Sequence, residues 1–262
     1  MGQKSQICVV VTAKIDNLEA VRAQAEHLDQ AFIFCADAGK LVAPELGLHP
    51  DAFIGDFDSS LIPIGQRYDL ARDGADLQLT EDQRAHIESM IERKKGDADH
   101  GSGMDYHGGS GQAMREPAVF VLPHHKDMTD SEAAVDVAVQ LGFTDIVVLG
   151  GLGGRLDHTL GNLAILAKYK DSPVNVRVED GYNCVAMVGP GTHVVPREHY
   201  TYLGVIPYGG DAQGVSIDGA LYSLHNATLS DSCTLGVSNE ITGDEAIISF
   251  TAGTLVLVRS HD

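Results

Sequence analysis

The feature that most constrains the fold is a set of short, unbroken apolar runs in the first 170 residues. They lie at 7–12 (ICVVVT), 31–36 (AFIFCA), 52–54 (AFI), 118–122 (AVFVL) and 146–149 (IVVL). A strand with one wet face alternates polar and apolar residues. Continuous runs suit strands buried on both faces, as in a parallel sheet covered by helices. Helical spacing fills several of the gaps. Leu18, Val21, Ala25 and Leu28 share one helical face, and the patterns predict helices over 131–141 and 156–168. Gly142 is a helix stop. The expected fold class is therefore α/β, with an open, mostly parallel sheet in the N-terminal domain. After Val174 helical periodicity vanishes. Short runs at 185–188, 203–206, 246–250 and 255–258 are separated by Gly, Pro, Asn and Asp turns. That pattern predicts an all-β sandwich as the C-terminal domain. The expected division is 1–180 and 181–262, with the boundary near 179–183.

Length and charge narrow the function. At 262 residues the chain buries one large core or two modest ones. Its 18 Lys and Arg against 37 Asp and Glu leave a net charge of −19. Such a chain is a poor partner for nucleic acid or an anionic membrane surface. It binds polyphosphate only with help from a divalent cation, backbone N–H groups or a few placed Arg and Lys. No apolar run approaches the roughly 20 residues of a membrane helix, and the polar start reads as no signal peptide. A cytoplasmic protein is expected. Cys8, Cys35, Cys184 and Cys233 form no CxxC, and buried thiols are expected rather than disulfides or a zinc site.

The informative acids sit just past the predicted strands. Asp37 follows the 31–36 run, Asp56 and Asp58 follow 52–54, and Asp127 and Asp130 follow 118–122. A glycine loop, Gly150-Gly151-Leu152-Gly153-Gly154, follows 146–149. Open α/β sheets bind ligands beyond the carboxyl ends of their strands. One aspartate there is ordinarily a helix cap or turn residue. Three clusters on one edge are harder to explain that way. Packed carboxylates repel, and Mg²⁺ shared with phosphate oxygens resolves the repulsion. The pattern thus predicts a Mg–nucleotide site. Glycines let the backbone approach a phosphate, and Arg155 adds a charged fork at the start of the next helix. His158 and Asn162 share a face of that helix, where a lone His is as readily structural as functional. The chain holds neither GxxxxGKS nor GxxxxGKT, and the loop does not fit GxGxxG. A P-loop NTPase and a dinucleotide-binding Rossmann enzyme are unsupported. Thr80 and Gln83 read as the capping box of a helix over 80–95. The Gly-, Asp- and His-rich stretch 96–116 that follows, with His100 and His107, reads as a solvated insert rather than a metal module.

Together the motifs Asp37-Ala38-Gly39, Gly55-Asp56-Phe57-Asp58-Ser59, Lys126-Asp127-Met128-Thr129-Asp130 and Gly153-Gly154-Arg155-Leu156-Asp157-His158 resemble the thiamine pyrophosphokinase family. Residues 214–222 and the stretch Leu235-Gly236-Val237-Ser238-Asn239-Glu240 resemble the family's sandwich strands and its Ser-Asn thiamine-binding segment. The resemblance implies transfer of a pyrophosphoryl group from ATP to the thiamine hydroxyl, with release of AMP. It implies Mg²⁺ at Asp56, Asp58, Asp127 and Asp130. Asp37, Gly39, Lys126, Thr129, Gly150, Gly151, Gly153, Gly154 and His158 would line the ATP site. Asp56, Asp58, Asp130, Arg155 and Asp157 would carry the chemistry, with Asp157 or Asp58 taking the hydroxyl proton. Ser238 and Asn239 would contact thiamine. A homodimer is implied, the sandwich of one subunit completing the pocket of the other. The chain has no Trp, so another aromatic or an aliphatic wall stands where some members stack a tryptophan on thiamine. Two alternatives stay open on the motifs alone. One is a pyrophosphokinase for another hydroxymethyl heterocycle, such as a pterin. The other is a nucleotide- or thiamine-binding protein without turnover.

Overall fold

The computed structural model describes residues 7–25, 28, 30–58, 63–73, 76–99, 116–123 and 126–262. The core of the insert (100–115) and Ser59 lie outside the described residues. The N-terminal elements are β1 (Ile7–Val11), α1 (Leu18–Ala25), β2 (Phe32–Ala36), α2 (Gly39–Val42) and β3 (Ala52–Gly55). Next come β4 (Gln66–Asp69), β5 (Ala71–Asp73), β6 (Asp76–Gln78), α3 (Glu81–Asp99) and β7 (Ala118–Val121). Then follow α4 (Asp130–Gln140), β8 (Asp145–Leu149), α5 (Leu156–Tyr169) and β9 (Asn175–Glu179). The remaining strands are β10 (Asn183–Val188), β11 (Gly191–Pro196), β12 (Tyr202–Pro207), β13 (Ala212–Asp218), β14 (Leu224–Leu229), β15 (Glu245–Phe250) and β16 (Leu255–Ser260).

The apolar runs become the centre of one sheet, ordered β12-β16-β10-β9-β8-β1-β2-β3-β7-β4. From β9 to β4 every pairing is parallel. β2 is buried along its whole length, as an unbroken apolar run requires. One face packs Phe32, Phe34, Ile54 and Phe120 against α3, α4 and α5. The other packs Val9, Val11, Ile33 and Leu149 against α1 and the segment after α2. Local signals set the helix ends. Thr80 Oγ1 accepts from Gln83 N at 3.2 Å and Gln83 Oε1 accepts from Thr80 N at 2.8 Å, a reciprocal capping box. At the end of α4, Gly142 adopts φ 87° while Phe143 N donates to Ala138 O and Gly142 N to Val139 O, closing a Schellman motif.

The C-terminal half does not stand apart from this sheet. β9 pairs parallel with β8 and then antiparallel with β10, across a turn in which Asp180 Oδ1 accepts from Tyr182 N and Asn183 N. β16 and β12 extend the same ladder antiparallel. A second sheet, β11-β15-β13-β14, is antiparallel throughout. Its inner residues Val215, Ile217, Ile248 and Phe250 bury against Leu203, Val205, Leu255 and Leu257 of the first sheet. β15 alternates exposed and buried residues, the pattern of a strand with one dry face. Cys8, Cys35 and Cys184 are buried free thiols, and Cys233 is exposed. Among the described residues no helix is long and apolar enough to cross a membrane.

Candidate active site

Strand order fixes where a ligand fits. The chain runs outward from β1 through β2 and β3, then returns from β7 to place β8 on the other side of β1. Strand order thus reverses between β1 and β8, and the crevice beyond their carboxyl ends is the sheet's switch point. Five loops meet on that edge. They follow β1 (12–17), β2 (37–38), β3 (56–58), β7 (126–129) and β8 (150–155).

The acidic part of the rim is built around one lysine. Lys126 Nζ donates to Asp56 Oδ2 at 2.6 Å and lies 2.9 Å from Asp130 Oδ1. The second contact is an ion pair outside hydrogen-bond alignment, so buried Asp130 Oδ1 has no hydrogen bond. The side chains are 9% (Lys126), 15% (Asp56) and 20% (Asp130) exposed. Asp37 completes the group. Its N donates to Ile54 O at 2.8 Å, and its buried Oδ1 also lacks a hydrogen-bond partner. Asp37 and Phe57 sit at φ 42° and 52°, a left-handed backbone that non-glycine residues adopt at some cost. Burial works against the Lys126 charge, but the bond to Asp56 and the charges of Asp56 and Asp130 outweigh it and hold its pKa above the usual value. Burial likewise raises the Asp130 carboxyl; Lys126 opposes the rise, and Asp56 and Asp37 add to it. The rim therefore carries more buried negative charge than its lysine neutralises.

Asp58 and Asp127 are exposed beside this group, and Asp58 N donates to Asp56 Oδ1 at 3.3 Å. Thr129 caps α4, its hydroxyl accepting from Glu132 N at 3.1 Å. Gly39 begins α2 so close to β1 that a Cβ there would lie 2.1 Å from Val11 O. In the glycine loop, Asn162 Nδ2 donates to Gly151 O at 2.9 Å, and a Cβ on Gly151 would meet that nitrogen at 2.2 Å. Arg155 and Asp157 form an exposed pair, Nε to Oδ1 3.1 Å, and the bond from Arg155 keeps the Asp157 carboxyl below its usual range. His158 is exposed on the first turn of α5.

In the C-terminal half Ser238 is exposed at φ 60°, and Asn239 is buried beside it. Asn239 Oδ1 accepts from Tyr222 N and Glu240 N, each at 2.9 Å, and its Nδ2 donates to Tyr222 O at 2.7 Å. Its backbone pairs with Leu203. This amide braces its own loop and holds up an exposed surface of Leu221, Tyr222, Leu235 and Val237. Sequence reasoning also left out Thr12, Lys14 and Asp16 at the switch point. The signal was present, since Thr12-Ala13-Lys14-Ile15-Asp16 follows an apolar run just as the acidic motifs do.

A cation suits this donor set. Asp37 Oδ1 is buried without a hydrogen bond and Asp130 Oδ1 has only the Lys126 ammonium at 2.9 Å, and the hard carboxylate oxygens match Mg²⁺, which needs only one or two of them with water and phosphate. Among the described residues no three His, Cys, Asp or Glu side chains gather as a ready-made metal cage. The rim fits an ion that arrives with its own phosphate and water ligands.

Comparison with known proteins gives one answer. A family profile described as "Thiamin pyrophosphokinase, catalytic domain" matches residues 70–178. A second, "Thiamin pyrophosphokinase, vitamin B1 binding domain", matches 192–255. The thiamine pyrophosphokinase of Bacillus subtilis is 28% identical over 227 residues, 86% of each chain. Thiamin pyrophosphokinase 1 of Caenorhabditis elegans is 34% identical over 120 residues, 45% of this chain and 49% of its own. The crystal structure of the Bacillus subtilis enzyme superposes with a TM-score of 0.68 at 23% identity, covering 98% of this chain and 100% of that one. That of the Geobacillus thermodenitrificans thiamin pyrophosphokinase gives 0.68 at 25% identity, covering 98% of each. One profile falls on the sheet that builds the acidic rim and the other on the strands that carry the Asn239 loop, so the chain belongs to the thiamin pyrophosphokinase family.

Proposed function

We propose that the chain transfers the pyrophosphoryl group of ATP to the thiamine hydroxyl, giving thiamine diphosphate and AMP. The observation that carries this reading is the half-buried cluster in which Lys126 pairs with Asp56 and Asp130 while Asp37 adds its charge beside Asp130, on the carboxyl edge next to the switch point of a sheet in this family. Asp56 and Asp130, with Asp58 and Asp127 through water, would hold Mg²⁺, which when bound neutralises the phosphates and the charge developing on them. Asp37 and Gly39 line the nucleotide crevice. Gly150 N, Gly151 N and Gly153 N already donate to Glu179 O, Lys14 O and Thr159 Oγ1 and so shape the glycine loop rather than bind phosphate. The loop surface at 152–154 and the guanidinium of Arg155 would face the phosphates, with His158 flanking them from α5. Lys126 keeps Asp56 and Asp130 in place by pairing with both.

The thiamine oxygen attacks the β-phosphorus. A new O–P bond forms there, the bond from that phosphorus to the α–β bridging oxygen breaks, and AMP departs with the electron pair. Such transfers depend mainly on positioning and charge neutralisation. The hydroxyl proton passes to a carboxylate. Asp58 suits this role better than Asp157, whose carboxylate already accepts from Arg155. Thiamine rests against the surface of Ser238 and Tyr222 that Asn239 braces. The exposed apolar side chains there support a homodimer in which the sandwich of one subunit closes over the rim of the other. Free buried thiols fit the reducing cytoplasm.

Incubation with ATP, Mg²⁺ and thiamine tests the reading. Equal amounts of AMP and thiamine diphosphate are expected. Formation of ADP with thiamine monophosphate would replace it with an ordinary kinase. Turnover that ignores thiamine but consumes ATP with a pterin alcohol would move the substrate, and no turnover at all would leave a binding protein.

A further inference from the structure

Of the rim's cations, Lys126 is committed between Asp56 and Asp130, and Arg155 rests on Asp157 in an exposed pair that opens readily. The nucleotide reading brings a tetra-anionic polyphosphate to this edge, where a further cation at the switch point matters. Lys14 stands there. Its carbonyl accepts from Gly151 N at 2.9 Å, which ties the loop after β1 to the glycine loop after β8. A Cβ on Gly154 would lie 2.9 Å from Lys14 Cε, so the lysine stem runs along the glycine loop. Its Nζ sits 2.6 Å from Asp16 Oδ1, with the side chains 60% and 53% exposed. A Cβ on Gly153 would reach within 2.0 Å of Asp16 Oδ2, so this ion pair is packed on the two glycines expected to approach phosphate. An exposed lysine–aspartate pair is weak in water and opens readily. A triphosphate as a whole carries more negative charge than the single Asp16 carboxylate and draws the ammonium more strongly.

We propose that Lys14 is a polyphosphate-binding residue of the crevice, and that Asp16 holds its ammonium beside the glycine loop until ATP displaces the carboxylate. The proposal rests on the nucleotide reading above and adds to it a cation from the loop after β1. The test is calorimetric binding of ATP with Mg²⁺, and separately of adenosine, to the full chain and to Lys14→Gln, Lys14→Arg and Asp16→Asn. Lys14→Gln should weaken ATP about tenfold, the effect of one lost charged contact, and leave adenosine unchanged. Lys14→Arg should recover most of the loss. Asp16→Asn should bind ATP as tightly as the native chain or up to about threefold tighter, since the lysine is released from its resting partner. ATP affinity within twofold of native in Lys14→Gln, or an equal loss for adenosine, would overturn the proposal. A tenfold loss in Asp16→Asn would overturn the resting-pair part. A native chain that binds no ATP would defeat the nucleotide reading itself, whereas normal binding by native and Lys14→Gln chains alike would defeat only the assignment of Lys14.

Discussion

The carboxyl rim of the parallel sheet and the Asn239 loop of the C-terminal half are unfinished in opposite ways. At the rim, charge is unresolved. Asp37 and Asp130 bury oxygens without hydrogen bonds, one lysine serves two acids, and two non-glycine residues hold left-handed backbone. At the loop the polar groups are well paired. Asn239 is buried and bonded on both sides of its amide, yet the surface it supports exposes Leu221, Tyr222, Leu235 and Val237 to water. On the proposed reading the rim takes a cation and an anion together, and the loop takes the flat face of a heterocycle or a neighbouring subunit, so that the electrostatic and packing requirements of the reaction lie apart.

Four substitutions or deletions try that separation. The largest effect belongs to Asp56→Asn, which should lower turnover about 10³-fold with the fold intact; rates near native, with an unchanged melting curve, would remove Asp56 from the chemistry. Asn239→Ala should raise the thiamine KM about tenfold and cost about 2 kcal/mol of stability through its lost bonds, while ATP affinity holds. A matching loss of ATP affinity would show that the two regions are not separable. Asp130→Asn gives a smaller, pH-dependent readout. The folded carboxyl is raised above its ordinary value, so Asp130 favours the fold at low pH and disfavours it once pH climbs through that raised value. The neutral variant should then melt about 2 °C higher than native near pH 8, with the gap closing near pH 4. A variant that melts lower at the alkaline end would contradict the excess of buried negative charge. Smallest of all, removing 101–111 should leave kcat within about twofold, because the Gly-, Asp- and His-rich composition of that stretch cannot build a core of its own. Steady-state assays of the shortened chain decide that point.

The parallel half was legible because its strands are buried on both faces, which writes an unbroken apolar run into the sequence. The capping box at Thr80 and the stop at Gly142 were legible for the same local reason. Position past a strand end brought Asp37, Asp56 and Asp130 into view. It could not disclose that Lys126 would pair with two of them, because that depends on side-chain paths across different loops. The contacts of Asn239 with Tyr222 span 17 residues, and no periodicity marks them. The joining of the two halves was equally hidden. An antiparallel extension of a sheet and a free-standing sandwich have the same alternating pattern, and only the register of β9 on β8 and β10 tells them apart.

That shared ladder makes the chain hard to divide. A truncated product ending at residue 180 would strip β10 from β9 and leave its main-chain donors and acceptors bare along one side. A raw strand border of that kind recruits other molecules edge to edge. Separating the halves at their visible change of pattern would yield a fragment prone to clump rather than a minimal enzyme, and the intact polypeptide is the smallest unit worth expressing.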